Sequence, residues 1–374
     1  MMVPEGHRRR NEALFKNLDL LYTYTTMAKR ESSKKATATI LEELKEAVAG
    51  KEEVLIMTHT HPDPDAIASA AALQFLLREF YKVKSSIAYS GIIARAENRA
   101  MVKRLEIHLK QYNRIKPSRY DGLILVDSQP GAGNNVLSAK SECDLVIDHH
   151  PRREDTNAKL VVIDQNIGAT ATLLVQWLDH AGLGLPVNLA TALAYAIDSE
   201  TQTMQREATQ KDIQAYLKVY VRASLRKYGE IVNAHLPHYY FLQLGRALNN
   251  AQIYRNLITS HLTTILHPEI VAEMADFLLK HDRIGTVLCS GLYKDSLVIS
   301  IRTSNEKLNA GELIAKLPLD RNNVGGHDKS AGGFVSLPKN GDGADELVVK
   351  LVASFAECMG YDEPSWRPLL EEGG

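Results

Sequence analysis

The chain has 374 residues, with 44 Lys and Arg against 45 Asp and Glu, so its net charge is −1. Its 45% content of hydrophobic residues excludes wholesale disorder, and the balanced charge excludes an extended basic surface for long nucleic acids but leaves a local basic groove open. Two or three domains are expected at this length. The three cysteines lie far apart, no apolar run is long enough for a membrane span, and the first residues lack the apolar stretch of a secretory leader. We therefore expect a cytoplasmic protein that does not contact a membrane.

The first half of the chain alternates short apolar runs with helical patterns. Residues 1–36 are charged and mixed, and we assign them to an N-terminal extension, with a tail that binds nucleic acid as the alternative. Residues 37–48 have helical spacing, and Gly50 follows as a stop signal. Five apolar runs then predict strands separated by helices: VLIM, SSIAY, GLILVD, LVIDHH and LVVID. Such runs are typical of a parallel sheet that helices cover on both faces, so residues 37–206 predict an α/β domain.

The second half changes in character. Residues 207–281 have mostly helical spacing and no recognisable chemistry, which predicts a helical connector. Residues 282–374 begin with alternating apolar residues typical of a hairpin, continue through a short helix and a Gly-rich stretch, and end in a closing helix. The predicted fold class is therefore α/β, with an N-terminal parallel sheet flanked by helices, a helical connector and a smaller C-terminal α+β domain.

The segment THTHPDPD, directly after the first predicted strand, contains the densest group of metal-ligating residue types. Pro62 and Pro64 keep it extended, because proline lacks an amide donor and restrains the residue before it. Alternate residues of an extended chain share a face, which could bring His59, Asp63 and Asp65 to one point. Close carboxylates repel each other unless a cation neutralises them, and imidazole with carboxylates suits Mn²⁺, Zn²⁺ or Fe²⁺. The alternative is a loop in which Asp65 caps the following helix.

Further acids and imidazoles follow later predicted elements. They end two strands and one helical stretch of the predicted α/β domain: Asp127, Asp148-His149-His150 and Asp198. Ligands of open parallel sheets collect beyond the carboxyl ends of the strands, where these residues fall. One such residue alone is typical of a cap or a turn. Together they predict a shared site for two divalent ions about 3.5–4 Å apart.

Taken in order, these motifs resemble those of the DHH phosphoesterase superfamily. Four groups match its N-terminal motifs: His59-x-x-x-Asp63-x-Asp65, Asp127, Asp148-His149-His150 and Asp198. Two more are similar to the associated C-terminal domain of the first type: Ile301-Arg302-Thr303-Ser304 and Gly325-Gly326-His327. The resemblance spans roughly residues 40–360. It departs from the usual pattern at Val324 and Ala68, where glycine is common.

The resemblance implies a ligand set for two ions. The residues expected on the first ion are His59, Asp63 and Asp127, and those expected on the second are Asp65, Asp127, His149 and Asp198. Asp127 would bridge the two ions, and His150 would donate a hydrogen bond to a phosphate oxygen, so these two residues are the expected catalytic pair. The implied cofactor is two Mn²⁺ ions, with Co²⁺ or Mg²⁺ as alternatives.

Substrate contacts are expected mainly from the C-terminal domain. The resemblance implies contacts from His150, Arg302, Gly325, Gly326 and His327. The alternatives are that the two glycines form a plain turn and that Arg302 is a surface strand residue. Two further arginines follow a predicted strand end and could hold a second phosphate or simply begin a helix: Arg95 and Arg99.

The resemblance is strongest to the nano-RNase and pAp-phosphatase branch. It implies a manganese-dependent phosphodiesterase or phosphatase that hydrolyses short oligonucleotides or nucleotide 3′-phosphates such as pAp by metal-activated water. The expected partners are short RNA or DNA oligonucleotides or small nucleotides, and a homodimer stays open. The alternatives are a cyclic-dinucleotide phosphodiesterase, a RecJ-like single-strand exonuclease, a polyphosphate hydrolase and, in a different class, a catalytically silent nucleotide-binding regulator.

Overall fold

The computed structural model describes residues 35–205, 207–320, 323–326, 328–338 and 341–371. The described chain divides into two compact units. Unit 1 comprises the residues up to 93 together with 97–234, and unit 2 comprises 94–96 and the residues from 235 onward. Most of the expected N-terminal extension lies outside the described residues. Among the residues that are described, no helix is long and apolar enough to cross a membrane.

Unit 1 is built on a six-stranded sheet in the order β3-β2-β1-β4-β5-β6, and all of its pairings are parallel. Its strands are β1 (Glu53–Met57), β2 (Lys84–Tyr89), β3 (Leu109–Gln111), β4 (Gly122–Val126), β5 (Cys143–Asp148) and β6 (Ala158–Ile163). Its helices are α1 (35–47), α2 (Pro64–Leu76), α3 (Ala96–Arg104), α4 (Thr170–His180), α5 (Val187–Glu200), α6 (Gln210–Tyr220) and α7 (Leu225–Val232). The expected parallel sheet flanked by helices is confirmed.

The core of unit 1 lies mainly on one face of this sheet. Alternate strand residues such as Val54 and Ile56 pack with α2, α4 and α5 in one large apolar cluster. Helix α2 is rich in alanine, and these short side chains let it lie close to both neighbouring helices. The other face, with Leu55 and Met57, is covered by a smaller cluster that includes Tyr112.

Unit 2 contains a seven-stranded mixed sheet in the order β11-β12-β10-β9-β8-β7-β13, in which only the β8–β9 pairing is parallel. Its strands are β7 (Gln252–Tyr254), β8 (Leu257–Thr264), β9 (Thr286–Tyr293), β10 (Ser296–Thr303), β11 (Val324–Gly326), β12 (Ser330–Ser336) and β13 (Arg367–Pro368). Its helices are α8 (His238–Asn249), α9 (Glu269–Leu278), α10 (Ala310–Lys316) and α11 (Ala344–Cys358). The expected α+β character of the C-terminal domain is confirmed.

The expected helical connector over residues 207–281 is not a separate region. Helices α6 and α7 belong to unit 1, whereas α8, α9 and two strands of this segment belong to unit 2. The chain leaves the helical pattern after Asn249, and Arg255 adopts a left-handed backbone with φ 53° between β7 and β8. This reversal lets β7 and β8 pair antiparallel, so that a stretch with helical spacing forms a hairpin.

Candidate metal centre

The candidate ligands of unit 1 lie where three neighbouring strands end. His59 and Asp63 follow β1, Asp127 follows β4 directly, and β5 ends immediately before His149. Strand β1 pairs with β4, and β4 pairs with β5, all in parallel. Because the carboxyl ends of parallel strands share one edge of the sheet, residues far apart in the chain meet there.

Asp63 begins helix α2. Its Oδ1 accepts a hydrogen bond from the amide of Ala66 at 2.9 Å, and Pro64 occupies the first helical position. The other oxygen, Oδ2, lies 3.5 Å from His59 Nε2. The capping role that we considered for Asp65 is therefore performed by Asp63, and one oxygen of Asp63 still faces the candidate site.

The first group of potential ligands consists of His59, Asp63 and Asp127, whose ligand atoms all lie within 4.8 Å of one another. His59 Nε2 lies 3.6 Å from Asp127 Oδ2. Separations of 3.5 and 3.6 Å are too long for hydrogen bonds. They are close to the roughly 3.0–3.5 Å expected between two ligands that each lie about 2.1 Å from a shared cation.

The second group consists of Asp127, His149 and His150, again within 4.8 Å. Asp127 Oδ1 lies 3.7 Å from His149 Nε2 and 4.0 Å from His150 Nδ1. The two carboxylate oxygens of Asp127 therefore face different groups: Oδ2 faces the first group and Oδ1 faces the second. This is the arrangement required of a carboxylate that bridges two ions.

The orientation of the His59 and His149 rings also suits metal binding. His59 Nδ1 lies 3.0 Å from the carbonyl oxygen of Thr60, and His149 Nδ1 lies 3.5 Å from that of Ile167. A carbonyl can only accept, so Nδ1 of His59 donates the proton of that hydrogen bond, and Nε2 of both rings faces the site. His149 Nε2 is buried and has no hydrogen-bond partner among the described residues, which is costly unless a cation occupies its lone pair.

Asp127 is held in a strained but well-defined position. Its φ of 59° is unusual for a residue other than glycine, and its amide donates to the carbonyl of Ile147 at 2.8 Å. The hydroxyl of Thr170 donates to Asp127 Oδ1 at 2.8 Å. Thr170 was not among the residues predicted for the site, because a threonine at the start of a helix gives no metal-binding signal by itself.

Asp148 orients His150 rather than facing the two groups. It is 1% exposed, and its Oδ1 accepts a hydrogen bond from His150 Nδ1 at 2.8 Å. Its Oδ2 accepts from the side-chain amide of Gln129 at 2.7 Å. Burial lowers the pKa of His150, but the Asp148 hydrogen bond and the charge of Asp127 outweigh this effect and raise that pKa to about 10. The imidazole is therefore cationic at neutral pH in the absence of bound ions.

Asp65 lies at the amino end of helix α4, outside both groups of potential ligands. Its two oxygens accept the amides of Thr170 and Ala171 at 2.7 and 2.8 Å. Burial, followed by repulsion from Asp127 and Asp63, raises the pKa of Asp65 well above its ordinary value. Each carboxylate oxygen has a second lone pair, so these amide bonds leave metal binding by Asp65 chemically open.

The structure does not bring Asp198 into either group. Its carboxylate accepts a hydrogen bond from the hydroxyl of Tyr228 at 2.7 Å. Glu200 lies two residues later on the same helix, about 200° around its axis, so the two side chains point to different sides. The pKa of Glu200 is raised to about 8 by burial and then by repulsion from Asp63, Asp65 and Asp127. Glu200 is therefore the acid of α5 that the site carboxylates influence, and it was missed from the sequence.

These residues fit a pair of divalent cations. The two groups share Asp127, the imidazoles of His59 and His149 both direct Nε2 at it, and the surrounding acids repel one another without a counter-charge. All of these donors are nitrogen or oxygen, as Mn²⁺ and similar ions prefer, and no cysteine belongs to either group.

Unit 2 contains two of the predicted substrate-binding arginines at one carboxylate. Arg302 on β10 donates from Nε to Asp276 Oδ1 at 2.6 Å, and Arg95 Nη2 lies 3.9 Å from Asp276 Oδ2. Arg302 is therefore an anchored residue, not a loosely held surface side chain. Arg99 lies on α3 in unit 1.

The two glycines of the predicted Gly-rich signature differ in their surroundings. A Cβ at Gly325 would meet none of the described residues within 4 Å. A Cβ at Gly326 would clash with Ala331 Cβ on the neighbouring strand, which explains this glycine by packing alone. His327 lies outside the described residues.

Comparison with known proteins supports the same division of the chain. A model of the DHH family N-terminal domain matches residues 53–197, and a DHHA1 domain model matches residues 255–354. The first match contains every predicted ligand except Asp198. The second contains Arg302, Gly325, Gly326 and His327.

Individual relatives share between 14% and 34% of their aligned residues with this chain. An uncharacterised protein of Methanocaldococcus jannaschii is 34% identical over 290 residues, which cover 77% of this chain and 59% of that protein. The chain thus spans about three fifths of that relative's length. The structure of an exopolyphosphatase-related protein from Bacteroides fragilis has a TM-score of 0.67 at 14% identity, over 86% of this chain and 96% of that one, which shows a shared fold. RecJ from Thermus thermophilus in complex with Mn²⁺ has a TM-score of 0.47 at 14% identity, over 89% of this chain and 55% of that one.

Two domain models match in order, and the first covers a cluster of acids and imidazoles at the carboxyl edge of a parallel sheet. The chain belongs to the DHH superfamily, with a DHH family N-terminal domain followed by a DHHA1 domain.

Proposed function

We propose that this protein hydrolyses phosphate esters of short oligonucleotides, nucleotide 3′-phosphates such as pAp, or both, with Mn²⁺ as its preferred ion. One observation carries the proposal: the two oxygens of Asp127 face two different groups of potential ligands. One of these groups contains His149, whose buried Nε2 has no hydrogen-bond partner among the described residues. A site of this kind suits a phosphate ester, whose negative oxygens repel a nucleophile unless cations neutralise them.

We assign the ligands as follows. One ion would be held by His59, Asp63 and Asp127. The other would be held by Asp127, His149, Glu200 and Asp65, with Glu200 in the place first given to Asp198. The support for Glu200 is electrostatic, because its pKa responds to Asp63, Asp65 and Asp127.

When bound, the ions would supply neutralisation of the phosphate oxygens and a lowered pKa for the attacking water. The chain's own residues supply positioning. Thr170 fixes the orientation of the Asp127 carboxylate through Oδ1. Asp148 holds His150 through Nδ1, so a phosphate oxygen would be contacted by Nε2 of that ring. An imidazolium at this point would stabilise charge on the transferring phosphoryl group.

Two features favour small substrates. The net charge of −1 offers little counter-charge for a long polymer, whose binding depends on many phosphate contacts. In unit 2, Arg302 and Arg95 meet at one carboxylate, which concentrates the predicted arginine contacts in one place suited to a single phosphate.

The test is a substrate panel. Purified protein with Mn²⁺ is incubated with a labelled dinucleotide, with pAp and with a long single strand, and initial rates are compared at equal concentration. We expect the dinucleotide or pAp to be consumed fastest. The matched control is Asp127→Asn, which must abolish the same activity if it belongs to this protein and not to a contaminating nuclease.

Faster turnover of the long strand would contradict the proposal and favour a RecJ-like exonuclease. Tight nucleotide binding with no hydrolysis in Mn²⁺, Co²⁺ or Mg²⁺ would also contradict it and favour a silent regulator.

A further inference from the structure

Gln129 is a buried side chain behind the candidate metal centre, and the proposed function gives it no role. It lies two residues after Asp127, in the segment that follows β4, and it is only 3% exposed. A buried side-chain amide destabilises the fold unless its hydrogen-bonding groups are paired. The partners of Gln129 therefore indicate what this side chain holds in place.

Three of these partners fix the direction of the Gln129 side-chain amide. Oε1 accepts from the backbone amide of Arg153 at 2.8 Å and from the hydroxyl of Thr156 at 2.6 Å. Nε2 donates to the carbonyl of Pro151 at 3.1 Å. A backbone amide can only donate and a carbonyl can only accept, so the two ends of the side-chain amide cannot be exchanged.

The second hydrogen bond of Nε2 reaches the carboxylate that orients His150. Nε2 lies 2.7 Å from Asp148 Oδ2, while Asp148 Oδ1 accepts from His150 Nδ1 at 2.8 Å. The Asp148 carboxylate is thus held by Gln129 at one oxygen and bonds to His150 at the other. It cannot rotate about its Cβ–Cγ bond without breaking one of these bonds, so Gln129 fixes the direction in which Oδ1 is presented.

Gln129 also holds the segment that follows His150. Pro151, Arg153 and Thr156 lie one to six residues after that histidine, and all three bond to the same side-chain amide. One buried residue therefore supports both the carboxylate beside the His150 ring and the backbone beyond it. Both contacts restrict the directions in which the ring can point.

We propose that Gln129 is a positioning residue for His150 and that it acts through Asp148. It keeps the imidazole at the angle from which Nε2 meets a phosphate oxygen in the transition state. The proposal rests on the proposed function for this role of His150. Because Gln129 acts on His150 and not on an ion, its loss should lower kcat without a matching loss of metal affinity.

The first experiment compares turnover with metal binding. Gln129→Leu keeps the approximate size of the side chain and removes all four hydrogen bonds. Supporting residues of this kind commonly contribute about 10–100-fold, so we expect kcat with Mn²⁺ and the best substrate of the panel to fall about tenfold. Manganese affinity should stay within about threefold. Thr156→Val is the matched control: it removes one bond to the loop, leaves the bond to Asp148, and should keep kcat within about twofold.

A double-mutant cycle with His150→Ala tests the route of the effect. If Gln129 acts through His150, Gln129→Leu should lower kcat by less than about twofold in the His150→Ala background. Thermal unfolding shows whether each variant is folded. Gln129→Asn takes the place of Gln129→Leu in the cycle if the latter does not fold, because its amide is one methylene shorter and cannot reach Asp148 and the loop together.

A spectroscopic readout needs no turnover. In protein loaded with diamagnetic Mg²⁺, the Nδ1 proton of His150 is identified as the low-field proton resonance that is missing from His150→Ala. We expect this resonance to shift or broaden in Gln129→Leu and Gln129→Asn, and to stay in place in Thr156→Val.

An unchanged resonance in both Gln129 variants would overturn the proposal. Fully additive losses of kcat in the cycle, or a loss in Thr156→Val as large as that in Gln129→Leu, would also overturn it. A wild-type protein that hydrolyses no member of the panel, but whose His150 resonance responds to Gln129 as expected, would refute the proposed function and keep Gln129 as the residue that orients His150.

Discussion

The two edges of the parallel sheet in unit 1 both collect carboxylates, but they compensate the negative charge in different ways. At the amino edge, Asp144 lies 3.1 Å from Lys51 Nζ and 2.8 Å from Lys159 Nζ. At the carboxyl edge, Asp63 and Asp127 face imidazoles, and no lysine or arginine in the described part of the chain pairs with them. Lysines compensate the carboxylate of the first edge, whereas the carboxylates of the second edge have imidazoles beside them.

The pKa shifts of Asp144, Asp65 and Glu200 follow this contrast, whereas His59 lowers the pKa of Asp63 despite its burial. Burial opposes the ionisation of Asp144, but hydrogen bonds from Lys159, the Leu123 amide and Lys51 outweigh it and lower the pKa. At the carboxyl edge, burial and neighbouring acids raise the pKa of Asp65 and of Glu200. Acid clusters at strand ends therefore indicate a metal site only where lysine and arginine are missing.

The largest expected effect comes from Asp127, because both groups of potential ligands depend on it. Asp127→Asn keeps the shape and the hydrogen bond from Thr170 but removes the charge. Loss of a residue that only supports a ligand costs about 10–100-fold, so loss of a bridging ligand should lower kcat by more than about 100-fold. Initial rates and bound metal per chain, measured on the same sample, check this. A variant with full activity and full metal content would contradict the assignment.

Glu200 and Asp198 lie on the same helix, and comparing their variants tests which of the two acids binds metal. We expect Glu200→Gln to lower metal affinity and activity by at least about tenfold, because it removes a carboxylate that the site acids influence. Asp198→Asn is the matched control: it keeps an oxygen for the Tyr228 hydroxyl and should stay within about threefold of the wild type. Competition with a fluorescent chelator measures both. The reverse ranking would return the ligand role to Asp198.

A smaller effect is expected at Thr170, which supports the bridging carboxylate without facing an ion itself. Thr170→Val preserves shape and removes the hydrogen bond to Asp127 Oδ1. Manganese affinity should fall about 10-fold. Thr191→Val is a control, because that buried hydroxyl bonds to the Val187 carbonyl on α5. Equal metal affinities of wild type and Thr170→Val would show that Asp127 needs no such support.

The smallest effect concerns the amino edge and is one of stability. The pKa of Asp144 is lowered by folding, so its stabilising contribution is present above the unfolded-state pKa near 4 and is lost as the pH falls through the folded value. At pH 7, Asp144→Asn should cost about 1–2 kcal/mol. Melting temperatures of the two proteins should differ by a few degrees at pH 7 and converge as the pH falls below the folded-state pKa of Asp144. A difference independent of pH would show that the lysine pairs are not its cause.

Much of the fold could be predicted because unit 1 follows simple packing rules. Runs such as GLILVD are continuous in apolar residues, as strands covered on both faces must be. Strand β3 is only three residues long and contains Lys110, so no such pattern marks it. Strands β7 and β8 were missed because the left-handed turn at Arg255 depends on the pairing of the two strands. The turn contains no glycine that would have marked it in the sequence.

Some residues of the candidate site could likewise be predicted from the sequence, and others could not. His59, Asp127 and His149 could be grouped because parallel strands end at a common edge. The choice between Asp198 and Glu200 could not be made, because the buried segment of α5 before them gives both residues apolar neighbours at helical spacing. Which acid faces the site depends on how α5 is rotated against the sheet, and this is decided by packing.

The central claim is that Asp127 joins two cation sites, and an anomalous diffraction experiment tests it most directly. Crystals grown with MnCl₂ are measured near the manganese absorption edge. We expect two anomalous peaks about 3.5–4 Å apart, one beside each oxygen of Asp127. A single peak, or peaks that lie away from Asp127, would contradict this account of the site.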